Sequence, residues 1–347
     1  MILNRTWMKN SYLLTLLVPF LGVAAAVQAG SPLVVTASNA AANQLLVYSP
    51  EGTLLQTLST QGKGGAGGNA GGVQTQDGLV AAVNFGSQSV SIFQLGNKGL
   101  SLTQVVPTVA NPVSVAFGEN HLYILGATQV ESHAIFGSHV DTNPDGVSTL
   151  LVADGSAAQV GVLRKQIIVT EKSNVIETFD LLPGGAVSGN PTLVANIPSD
   201  ANEAPNANEP FGLVTSGDDT YVTIAHLNEI ALVRKEAIVS DTIGTQNAPC
   251  WLTLTGPFLY ASNTASQNLS RYVVHGKKIV LDDAVAATFT GNPTDNASGE
   301  GLVAAIDGAN GTSHLSIFNR DDDGNLSTSS VVTISGSING VAVVPEQ

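Results

Sequence analysis

The stretch "GGVQTQDGLVAAVNFGSQSVSIF", residues 71–93, decides the fold. It runs from a small, polar entry into an apolar, β-branched segment, turns a polar corner containing Asn84, and ends a second strand in an aromatic, Phe93. Short apolar runs bounded by Gly, Asn, Asp and Ser are the mark of strands joined by tight turns. The unit recurs seven times, its copies ending in Tyr48 ("NQLLVY"), Phe93, Phe136 ("SHAIF"), Phe179 ("VIETF"), Val233 ("EIALV"), Tyr272 ("NLSRY") and Phe318 ("HLSIF").

The first four ends lie 43 to 45 residues apart, the length of one four-stranded propeller blade. The longer step to Val233 carries a polar, Pro-rich insert, "PSDANEAPNANEP", residues 198–210. No amphipathic helical window persists, so the chain reads as all-β: a seven-bladed β-propeller of four-stranded antiparallel blades. The lone late strand in "INGVAVVP" is expected to join "PLVVTAS" in the first blade, closing the ring and leaving no open sheet edge.

Residues 1–29 combine Arg5 and Lys9, an apolar run and a small-residue site at Ala29. That is the layout of a secretory signal peptide, leaving residues 30–347 as one secreted propeller domain, extracellular or periplasmic. The whole chain carries a net charge of −14, and losing the leader removes two further positive charges. So acidic a surface disfavours nucleic acid and anionic membrane, and the mature chain is expected to be a soluble monomer. The single cysteine, Cys250, excludes an intramolecular disulfide, so stability must come from the core.

The stretch "GGVQTQDGLVAAVNFGSQSVSIF", together with "AQVGVLRKQIIVTEKSNVIETF", "NEPFGLV" and "APCWLTLTGPFLYASNTASQNLSRY", resembles the lactonase-like seven-bladed propellers, relatives of 6-phosphogluconolactonase and the carboxymuconate-lactonising enzyme, in their secreted branch. The resemblance spans nearly the whole mature chain. It implies metal-independent chemistry by a histidine, arginines and a glutamate at one mouth of the central channel, and matches Glu171 to the position of the family glutamate. Counting back nine residues from each aromatic aligns Thr170 with Asn84 and Asn263. The blade entries "NPVS", "AAQV", "EPFG" and "APCW" carry neither arginine nor histidine.

Lactone chemistry requires a general acid or base near the ring ester and a cation or donor for the carboxylate and developing oxyanion. Glu171 is the candidate base, with Lys172 or His226 supplying charge or a proton. Asn39, Asn84, Thr170, Asn263 and Asp307 are candidate ligand contacts at strand ends. The competing reading is a binding propeller without catalysis, holding a small molecule, glycan or protein at the loop face or channel mouth; neither reading calls for a cofactor.

Six histidines include no metal-binding spacing. Asp141, Asn143 and Asp145, and likewise Asp321 and Asp323, match the front half of a calcium loop. They lack the twelfth-position glutamate, and Asp-Gly turns account for both stretches. "GKGGAG" fits a dinucleotide fingerprint only formally, without the βαβ unit, and reads as a flexible inter-blade loop. No GxSxG elbow occurs.

Overall fold

A computed structural model describes residues 30–198 and 209–346; the leader and most of the Pro-rich insert lie outside the described residues. Seven antiparallel sheets form a ring of blades. The innermost strands, in blade order, are Asn339–Val344, Val73–Gln76, Pro112–Gly118, Ala157–Val162, Pro210–Ser216, Pro249–Thr255 and Asn292–Gly299. Each packs against the next around a central axis.

Burial explains why the second strands read as continuous apolar runs. Strands such as Leu79–Asn84 and Gln166–Glu171 are covered on both faces by neighbouring blades, whereas the outer strand Leu326–Ser335 alternates between partly buried and exposed residues. Seven apolar layers result, one between each pair of blades. Each fully buried Val, Leu or Ile contributes about 1.5–3 kcal/mol.

Ring closure is as the sequence led us to expect. Asn339–Val344 pairs antiparallel with Leu33–Ala37, Leu33 opposite Val344, and Thr36 Oγ1 donates to the Gly340 carbonyl at 2.6 Å. Blade 3 departs from the aromatic pattern: Phe136 is 67% exposed. The position opposite Leu122, where blades 1, 2, 4, 6 and 7 bury an aromatic, holds His133 instead. The strand Gln129–Phe136 runs past the core to pair with an added two-residue strand, His139–Val140, and this carries Phe136 into solvent. Among the described residues no helix is long and apolar enough to cross a membrane.

Candidate functional site: a plugged axial channel

Strand register assigns Glu171 its place. It ends its strand opposite Val175, as Asn84 ends its own opposite Ser89 and Asn263 opposite Asn268. The corner after Glu171 is one residue shorter than those after Asn84 and Asn263. Glu171, rather than Thr170, is therefore the structural counterpart of the two asparagines. In blades 2 and 6 the asparagine amide donates to a serine on the next strand, Asn84 to Ser91 and Asn263 to Ser270, both at 2.8 Å. In blade 4 the serine position holds Glu177.

Glu171 and Glu177 are both fully buried. Val152 N–H donates to Glu171 Oε1 at 3.3 Å and Leu151 N–H to Glu177 Oε2 at 3.0 Å, while the other oxygen of each has no partner. Burial, then the neighbouring Glu177 charge, pushes Glu171 up to about 8; burial pushes Glu177 up to about 7. The carboxyl of Glu171 thus turns into the seam between blades 3 and 4.

Lys172 turns the other way. Its Nζ donates to the Gly68 carbonyl at 2.6 Å and lies 5.5 Å from the Phe211 ring centroid. Burial pulls its pKa down, against the raising charges of Glu209 and Asp154. His226 Nε2 pairs with Glu209 Oε2 at 3.1 Å. The structure therefore gathers Lys172 and His226 around Glu209 at the mouth, and leaves Glu171 out of that group.

Over this mouth lies the glycine-rich segment. It joins blades 1 and 2 as expected, and it also crosses the axis, hydrogen-bonded to the inner strands around it. Asn69 Nδ2 donates to the Val113 carbonyl (2.5 Å), Asn339 Nδ2 to Asn69 Oδ1 (2.9 Å), and Trp251 Nε1 to the Asn69 carbonyl (3.0 Å). Ala70 N–H donates to Ala158 O and Gly71 N–H to Asp295 Oδ2. Ala70 packs with Phe211 and Trp251. Bulk is excluded here: a Cβ on Gly72 would lie 2.2 Å from Asn339 Oδ1. Asn39, in the left-handed region at φ 52°, accepts from the Gly65 and Ala66 amides and so pins the start of the plug.

Beneath the plug the channel is blind. A cavity of about 260 Å³ is lined by inner strands of blades 2 to 7, with Gln74, Gln76, Gln159, Asn296 and Ser298 among its polar walls. Asn296 Oδ1 is buried without a partner. The lining also includes Asp295, whose carboxylate accepts the plug's Gly71 amide; burial pushes it up to about 7 against amides of Asn296, Gly71 and Val341. Nothing in "NPTDNASG" marks Asp295 as axial, because that placement depends on the closed ring.

The other named residues serve the frame. Thr170 Oγ1 donates to the Phe211 carbonyl at 2.5 Å, and Asp307 accepts from His314 Nδ1 at 2.9 Å. Asp145 binds His121 and Ser132; Asp141 accepts the Asn143 amide; Asp321 accepts the Asp323 and Asn325 amides. Asp141 and Asp321 thus cap turns. Among the described residues no group of three or more His, Cys, Asp or Glu is poised for a metal.

Ring, axial channel and closure define a seven-bladed β-propeller, the fold the chain shares with lactonase-like propellers of known structure. Among solved structures, the chain is similar to a candidate 6-phosphogluconolactonase from Bacteroides uniformis (TM-score 0.65, 14% identity, 91% of this chain and 100% of that one). It is similar also to the periplasmic gluconolactonase PpgL of Pseudomonas aeruginosa (0.64, 13%, 91% and 99%), and to virginiamycin B lyase of Staphylococcus aureus (0.54, 13%, 80% and 92%). Identities this low speak for the fold alone, and the fold hosts differing chemistries. No family model matches the sequence, and no curated protein matches it significantly.

Proposed function

We propose that this chain is an exported binding propeller whose blind axial channel takes a small polyhydroxylated molecule. The observation that carries the reading is the channel itself: closed at one end by the plug and lined by amide and hydroxyl groups, which match the donors and acceptors of a polyol or sugar acid. Export rests on the layout of residues 1–29. The lactonase reading through Glu171 is disfavoured, since its carboxyl is sealed between blades and pairs with no cation among the described residues, while the cation beside it in sequence holds the plug.

Calorimetry with monosaccharides, gluconate and glucono-δ-lactone tests this. Gln74 faces the channel with no side-chain hydrogen bond among the described residues, so Gln74→Leu is expected to weaken binding several-fold without unfolding the chain. Lactone turnover is followed in the same samples. Turnover by the wild type that disappears in Glu171→Gln would overturn the binding reading in favour of the enzyme.

A further inference from the structure

A cavity larger than the channel lies away from it. It occupies about 680 Å³ between blades 4 and 5, at the turns after the inner strands, the end of the ring opposite the plug. Its composition is unusual for so acidic a chain: Arg164, Lys165, Arg234 and Lys235 all border it, although the whole sequence has only 13 Lys and Arg.

Its carboxylates are largely engaged. Asp219 is held twice by Arg234, and Glu236 accepts from Gln166 Nε2 at 2.8 Å. Asp218 reaches Arg164 only loosely, at 3.8 Å between exposed side chains. Lys165 and Lys235 have no side-chain partner among the described residues, and the four cations of the lining exceed its three carboxylates, Asp218, Asp219 and Glu236, by one. Deeper in, the walls are apolar, with Ile168 and Val233. Beside them stand Thr178 and Thr220, whose hydroxyls lie just behind the cavity wall, buried and without a hydrogen-bond partner among the described residues. An unpaired buried hydroxyl costs free energy, and two of them behind the wall of one cavity with a net positive rim mark a place where a ligand seated in the seam completes the hydrogen bonding.

We infer that the seam between blades 4 and 5 binds a small hydroxylated organic carboxylate. Its carboxylate meets Lys165 and Lys235, its apolar body lies along the wall at Ile168 and Val233, and its hydroxyl is directed at Thr178 and Thr220, which a small widening of the seam uncovers. The site is independent of the axial channel and shares no residue with it.

The probe is 4-hydroxybenzoate, titrated by calorimetry into the full chain at fixed ionic strength, with 3-hydroxybenzoate and 4-hydroxyphenylacetate as shape variants and 4-hydroxybenzamide as the neutral control. At least one carboxylate is expected to bind and the amide to bind far more weakly. Lys165→Gln/Lys235→Gln, two turn residues remote from the core, is expected to weaken binding roughly tenfold or more. Thr178→Val/Thr220→Val keeps the shape, so it is expected to melt no lower than wild type while losing affinity. Gln74→Leu is expected to leave this binding unchanged. No binding by any of the three carboxylates up to about 10 mM, or binding that survives both double variants, overturns the inference.

Discussion

Glu171 and Glu177 share one face of neighbouring strands in blade 4, where blades 2 and 6 place an asparagine hydrogen-bonded to a serine. The amide-to-hydroxyl bond is replaced by two carboxyls that offer each other only acceptors unless one is protonated. Buried carboxyls brought together in this way hold a proton near neutrality.

Stability should follow that proton. Both groups titrate higher in the fold than their ordinary value of 4.5, so the folded state binds protons more tightly than the unfolded one. Their contribution is complete below about 4.5 and is lost as pH rises through about 7 and 8. Glu171→Gln restores an amide donor at this corner. It is expected to unfold at higher denaturant than wild type at alkaline pH, by about 1–3 kcal/mol, with little difference at mildly acidic pH. Parallel denaturant curves across pH check this; a pH-independent difference would mean that the pair carries no titrating proton.

Closure makes a second expectation. Removing residues 341–347 strips four buried side chains from the strand that pairs with Leu33–Ala37. The loss is expected to be roughly 5 kcal/mol or more, seen as a large drop in melting temperature, and exposes a sheet edge prone to self-association. Light scattering during the melt reads the second effect.

The ring was legible in the sequence because blade length and strand-corner pattern are local properties repeated seven times. The late strand was legible for a related reason, since an unpaired strand near each terminus admits one mutual solution. Thr170 was aligned with the asparagines because counting from the aromatic passes over a corner one residue shorter in blade 4. Only inter-strand register exposes that shortening. Phe136 misled in the same way: a strand continuing past the core keeps the pattern while leaving the interior. The role of Asn69, Trp251 and Asp295 was hidden because residues from distant blades meet only on the axis of a closed ring.

The plug has its own signature. Trp251→Phe keeps the packing on Phe211 and Ala70 but removes the indole donor to Asn69. A cost of about 1 kcal/mol is expected, with faster amide exchange confined to the segment around residues 69–71. Exchange measured by mass spectrometry reads this, and an unchanged pattern would mean that the indole bond does not hold the plug.

Cys250 should be inert while the chain is folded. It is buried, and desolvation pushes its thiol up to about 11, outweighing the lowering bond from Thr264. Relative to an ordinary thiol this suppresses the thiolate by roughly two orders of magnitude. Reaction with a disulfide reagent at pH 8 is expected to be slow in native protein and rapid in denaturant.

The interlock between Asn69 and Asn339, 270 positions apart in the chain, ties two events in the life of the molecule together. During synthesis the glycine segment emerges early, yet one of the side chains that hold it arrives only with the strand that closes the ring. Until then the early blades form an open arc with an unsealed axis. Contacts this remote are slow to form, so sealing the axis and completing the ring become one late, cooperative step, and a chain halted before that strand has no finished chamber in which to hold anything.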